Sequence, residues 1–220
     1  HFRQGDMLRQ VVRHTAHTFA GALVMPNTKP PLTKPQYAAP YLAEIKAAAS
    51  RQVFQPWLTA YFQTSYERVQ LEQFKPCILA IKFYPQDLTT GAEYGCQPQD
   101  PAVLDVLALM EELDIPLCVH GEAPGPVLQR EYLFNRHAIH WANRFPRLKI
   151  ILEHISDALS LTLLRALPNM YATVTVHHLL LTLVRHQLAT VTDLVPVGQV
   201  TAHCLAARSL GSDGGPRLLL

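Results

Sequence analysis

Histidine is over-represented in this chain, at eleven of 220 residues. It is the commonest metal ligand and the usual proton shuttle near neutral pH, so its positions carry the first chemical information. Two histidines close short apolar runs, His120 in PLCVHG and His154 in LKIILEHI, and Lys82 lies near the end of a third, CILAIKFYP. Strand alternation puts Ile78, Ala80, Lys82 and Tyr84 on one face and Leu79, Ile81 and Phe83 on the other. The same rule groups His120 with Cys118, and His154 with Leu152 and Ile150. A buried lysine ammonium is costly unless it is neutralised or paired. One chemical solution is carbamylation: the neutral amine captures carbon dioxide, becomes a carboxylate and bridges two metal ions, with zinc also taking His120 and His154. The alternatives are a buried ion pair or a Schiff-base lysine, with each histidine a satisfied core residue.

Elements of one repeating kind would place these side chains. Apolar runs rich in Val, Ile and Leu alternate with stretches of helical periodicity, which predicts βα units and a parallel sheet. Strands are expected at 21–27, 53–62, 77–85, 116–121, 148–155 and 170–179, and helices at about 6–18, 34–50, 101–113, 127–143 and 157–166. Asp6, Thr33, Asp100 before Pro101, and Ser156 serve as start signals. The alternation fits an open doubly wound sheet or a closed barrel. Neither a GxGxxG turn nor a P-loop occurs, which favours the α/β, TIM-like (β/α)8 barrel. With fewer than the ~250 residues of a full barrel, the single domain over 1–220 is expected to be incomplete at both ends. Lys82, His120 and His154 then fall at the C-terminal rim of successive strands, one βα unit apart, where barrel enzymes assemble their sites.

Composition narrows the class. With 49% hydrophobic and 16% charged residues, the chain is neither disordered nor coiled coil nor collagen-like. A formal charge of +2 with scattered basic residues gives no footprint for nucleic acid or an anionic membrane. No apolar run approaches the ~18 residues of a span, so an intracellular, cytoplasmic protein is expected, with organelle targeting left open. Cys77, Cys96, Cys118 and Cys204 show no CxxC spacing and read as reduced thiols.

The strings HFRQGDML, VMPNTKPPLT, IKFYP followed by LTT, VHGE, LEHIS, ATVTVHHL and LGSD occur in this order. Together they resemble the dihydroorotases of the single-function bacterial and plant type, metal-dependent barrels of the amidohydrolase superfamily, from His1 to about Leu181. The resemblance implies two zinc ions bridged by carbamylated Lys82, with His1, His120, His154 and Asp213 as further metal ligands. Asp213 would also be the general base. Arg3, Asn27 and Arg217 would hold the substrate carboxylate, and Thr89 and Thr90 would belong to a loop that closes over it. The implied reaction is the reversible interconversion of N-carbamoyl-L-aspartate and dihydroorotate in pyrimidine biosynthesis, by a subunit that pairs as a homodimer in the family.

The sequence departs from that pattern at several places. HFR matches only the second histidine and the arginine of the family's His-x-His-x-Arg strand, Gln4 stands for an aspartate, and Arg217 stands for a histidine. The stretch 182–210 is shorter than its counterpart. A catalytically impaired homologue acting as a binding or assembly partner, and an amidohydrolase for another cyclic amide, are the competing functions.

Overall fold

The computed structural model describes residues 1–50, 53–88 and 92–175 and the backbone of 203–206. Helix α1 (Gly5–Thr18) opens the chain and buries Leu8, Val12 and Ala16, spaced one helical turn apart on one stripe. Strand β1 (Gly21–Val24) follows, then helix α2 (Ala38–Ala48) after a 3-10 turn, and strand β2 (Gln55–Tyr61). Next come α3 (Arg68–Phe74), β3 (Ala80–Phe83), α4 (Pro101–Glu112) and β4 (Leu117–His120). The remainder is α5 (Arg130–Arg144), β5 (Ile150–Glu153), α6 (Ala158–Ala166), β6 (Met170–Thr175) and β7 (His203–Ala206).

All six expected strands and all five expected helices form, each within a few residues of the expected bounds. The strands lie side by side in chain order, and β1 to β6 pair in parallel. This is the sequential order of a (β/α) barrel wall rather than the reversed order of a doubly wound sheet. Strand β7 departs from the pattern by pairing antiparallel with β6.

Local chemistry explains the helix starts, and it corrects several of them. Asp100 caps α4 by accepting from the Ala102 N–H at 2.9 Å, ahead of Pro101. At α6 the cap is Asp157, which accepts from the Ser160 N–H, and not its neighbour Ser156. Asp6 lies in the first turn of α1, where its charge opposes the helix dipole, while Gln4 holds the cap position. Lys34, not Thr33, precedes the 3-10 turn that leads into α2. Helix α3 escaped the periodicity because it is short and buries only Leu71 and Phe74. Its signal was the reciprocal capping box of Glu67 and Gln70.

The two faces of the sheet divide the labour. Ile81, Phe83, Leu117, Val119, Ile150 and Leu152 point outward into one apolar cluster with the helices. Phe83 meets Phe62 and the Trp141 ring of α5 edge-on, both at 5.2 Å between centroids. The inner face carries Ala80, Lys82, Cys118, His120 and Glu153, since Lys82 registers with Cys118 and His120 with Glu153.

Tyr41, Tyr61, Tyr66 and Tyr84 are all buried, and burial raises each phenol above its ordinary 10.0. A folded-state value above the unfolded one gives stability that is complete below pH 10 and is lost as pH rises further, because only the unfolded chain releases those protons. These four of the eight tyrosines should therefore give no phenolate absorbance until circular dichroism reports unfolding. Ionisation of all eight near pH 10 with the fold intact would contradict this.

Candidate metal centre

Lys82 ends the inner face of β3 and is 2% exposed. Burial pushes its ammonium below the usual lysine value, and Glu153, followed by Cys118, opposes that shift. Glu153 is 3% exposed and registers with His120 across β4 and β5. Burial also raises the Cys118 thiol well above its ordinary value, with the Glu153 charge adding to the effect. A thiol so placed stays protonated and packs as a small apolar group.

His120 and His154 converge. Nδ1 of His120 lies 3.0 Å from Nε2 of His154, and the rings meet at 60°. On its other side, His120 Nε2 is 3.3 Å from Glu122 Oε1, and Arg130 approaches the second oxygen of the same carboxylate at 3.7 Å. His120 first, and Arg130 after it, hold the Glu122 carboxyl below its ordinary value against the opposing effect of burial.

The face expected for His154 needs correction. Alternation grouped it with Ile150 and Leu152, yet those two pack outward against the helices. The strand ends at Glu153, and His154 adopts φ +50, a left-handed conformation that turns its ring back to the inner side. Thr173 of β6 fixes this turn. Its hydroxyl accepts from the His154 N–H at 2.7 Å and donates to Glu153 Oε2 at 2.7 Å. Beyond the turn, Glu131 Oε2 accepts from the Ser156 N–H and hydroxyl and from the Asp157 N–H.

The carboxylate-binding candidates gather beside this group. Asn27, 8% exposed, accepts a 2.5 Å hydrogen bond on Oδ1 from the Tyr84 hydroxyl. The Tyr84 ring lies 5.4 Å from Lys82 Nζ and 6.3 Å from the His120 ring. Arg3, exposed and at φ +60, exerts its charge on Tyr84 and Tyr41. The backbone nitrogen of His1 lies near Arg3, Glu153 and Lys82. Gln4, one of the departures, accepts the Lys29 N–H on Oε1 at 2.8 Å and so ties the loop that bears Asn27 to the start of α1.

His1, Arg3, Asn27, Lys82, His120 and His154 thus belong to one end of the sheet. Thr89, Thr90, Asp213 and Arg217 lie outside the described residues, as do His177 and His178. Glu122, Glu153 and Thr173 were missed as site residues. Glu153 takes its meaning from the register that pairs it with His120, and Thr173 from its bonds to the neighbouring strand, so neither is readable from its own strand.

Among the described residues no three His, Cys, Asp or Glu side chains close on a common point. The donors that are described nonetheless fit zinc. Tetrahedral bonds of about 2.0–2.1 Å separate two nitrogen ligands by roughly 3.4 Å, close to the spacing found between His120 and His154. The Glu122 carboxylate behind His120 matches the outer partner that orients a metal-bound imidazole.

No protein-family model matches the chain. It is 34% identical to a dihydroorotase of Helicobacter hepaticus over 99% of this chain and 68% of that one. It is 39% identical to a dihydroorotase of Acaryochloris marina over 82% of this chain and 54% of that one. Among solved structures, the dihydroorotase of Campylobacter jejuni superposes with a TM-score of 0.80 at 36% identity, covering 83% of this chain and 54% of that one. The Saccharomyces cerevisiae dihydroorotase, in complex with 5-fluoroorotic acid, gives 0.75 at 27% identity over 83% of this chain and 56% of that one. An L-hydantoinase of Arthrobacter aurescens, at 12% identity and a TM-score of 0.67, shares the fold. The chain thus spans between about half and two thirds of the length of these relatives. No helix among the described residues is long and apolar enough to cross a membrane.

Replacing Thr173 by Val should destabilise the chain by about 2 kcal/mol, since Glu153 Oε2 and the His154 N–H lose their partner together. Thr173→Ser keeps the hydroxyl and should cost about 1 kcal/mol or less. Urea unfolding of the two variants checks the difference, and equal losses would deny the hydroxyl its role.

Proposed function

The chain belongs to the dihydroorotase family, and from that premise we propose that it binds zinc and carries out reversible cyclic amide hydrolysis between dihydroorotate and N-carbamoyl-L-aspartate. The observation that carries this proposal is the 3.0 Å approach of two imidazole nitrogens from β4 and the end of β5, beside a fully buried lysine on β3. His120 and His154 would hold zinc, with His1 and Asp213 as further ligands by the family match. Lys82 would complete the set as its carbamate. Its neutral amine adds to the carbon of carbon dioxide, an N–C bond forms, one proton leaves to solvent, and an anionic carboxylate remains. Burial favours this chemistry because it favours the neutral amine that reacts. Zinc, when bound, supplies Lewis-acid polarisation of the amide carbonyl and acidifies the attacking water.

The chain's own groups do the remaining work. Asp213 is assigned the proton that passes to the leaving ring nitrogen. Arg3 supplies a fixed cation for the substrate carboxylate, and the Asn27 amide supplies a donor. Glu122 orients His120 from behind. Thr89 and Thr90 are assigned to the loop that closes over substrate and excludes water. A cytoplasmic enzyme that works as a homodimer on a small carboxylate substrate completes the proposal.

The test is direct. Purified chain should contain zinc and turn over dihydroorotate, and Lys82→Ala should abolish turnover. Metal-free, inactive protein that still binds a carboxylate ligand would support the competing non-catalytic homologue instead. Glu122→Gln should lower zinc affinity by about 10- to 100-fold with unchanged circular dichroism. Unaltered affinity in a chelator titration would remove Glu122 from the centre.

A further inference from the structure

Asn27 is 8% exposed, and its amide is satisfied on one side only. Oδ1 accepts the Tyr84 hydroxyl at 2.5 Å, whereas Nδ2 has no hydrogen-bond partner among the described residues. A buried donor without an acceptor is costly and marks a place where an acceptor belongs. A carboxylate is an acceptor-only group and answers that need. With the amide flipped, Oδ1 would face the anion and repel it.

We infer that Tyr84 is a positioning residue: by donating to Asn27 Oδ1 it locks the amide with its NH2 group toward the substrate carboxylate, and so sets the preference for an anionic ring. The inference rests on the proposed binding role of Asn27 and deepens it. Tyr84 is well placed for this task. It follows β3 directly and is 2% exposed, with its ring 5.1 Å from that of Tyr61. Lys82 Nζ lies 5.4 Å from the same ring, so one side chain links the lysine of the metal centre to the carboxylate donor.

Steady-state kinetics of the zinc-loaded chain test this with Tyr84→Phe, Asn27→Ala and the double variant. Tyr84→Phe should raise KM for dihydroorotate about tenfold, equivalent to ~1.4 kcal/mol. It should leave kcat within about threefold, because the lost interaction concerns binding rather than the reacting bond. Zinc content should not change. If Tyr84 acts only through Asn27, the double variant matches Asn27→Ala alone. Additive losses, or a fall in kcat at constant KM, would overturn the inference. Should Tyr84→Phe fail to fold, Asn27→Asp decides: its carboxylate keeps the Tyr84 bond but turns an oxygen to the site, so KM must rise beyond that of Asn27→Ala, and a smaller rise refutes the orientation. Wild-type chain with neither turnover nor calorimetric affinity for orotate would remove the proposed function and this inference together. Active wild type with an unresponsive Tyr84→Phe would remove the inference alone.

Discussion

A primary amine buried among strand ends governs the inner face of this sheet. Lys82 has almost no access to water, and among the described residues Glu153, two strands away, does most to oppose its loss of charge, with Cys118 after it. Removing an ammonium and a carboxylate from water costs several kcal/mol each, and their attraction recovers that cost only with close geometry and further hydrogen bonds. Glu153 has one oxygen satisfied by Thr173 and the other without a partner among the described residues. The arrangement is therefore incompletely compensated as it stands. The proposed conversion of the amine to an anion, with divalent cations beside it, would invert the local electrostatics.

That interior depends on a single departure from strand geometry. Parallel register fixes Lys82, Cys118, His120 and Glu153 on one side, and alternation alone would send His154 to the other. The left-handed conformation at His154 reverses this at one residue. A non-glycine residue holds such a conformation only where its surroundings over-determine it. Here Thr173 grips the His154 N–H, and Glu131 gathers the donors of Ser156 and Asp157 just beyond. Strand β6 and helix α5 thus both help to aim a ring on the loop after β5.

The architecture was legible in the sequence because its strands are short apolar runs separated by amphipathic helices, some with a clear start signal such as Asp100 before Pro101. Lys82 and His120 were legible because period-2 alternation holds to the last residue of β3 and β4. His154 was found as a candidate but assigned to the wrong neighbours, since a sign change in φ leaves no mark in residue type. Glu153 and Thr173 stayed hidden for another reason. Their meaning comes from cross-strand neighbours, and register between strands is not written in either strand alone. Helix α3 was lost because two buried residues give too weak a period to stand out.

The geometry also separates two tasks that a carboxylate-bearing cyclic amide would require. The imidazole nitrogens proposed to hold zinc come from β4 and the turn after β5, while the proposed amide donor comes from the loop after β1. Rigid parallel strands lie between them, so a change in one group need not disturb the other. Tyr84 is the exception, because its ring lies near Lys82 and His120 while its hydroxyl holds Asn27. A shift of β3 that moves Lys82 therefore also moves the Asn27 amide that Tyr84 holds. Lysine position and the orientation of the Asn27 amide are coupled through one aromatic side chain, which is a stronger constraint on residue 84 than packing alone would impose.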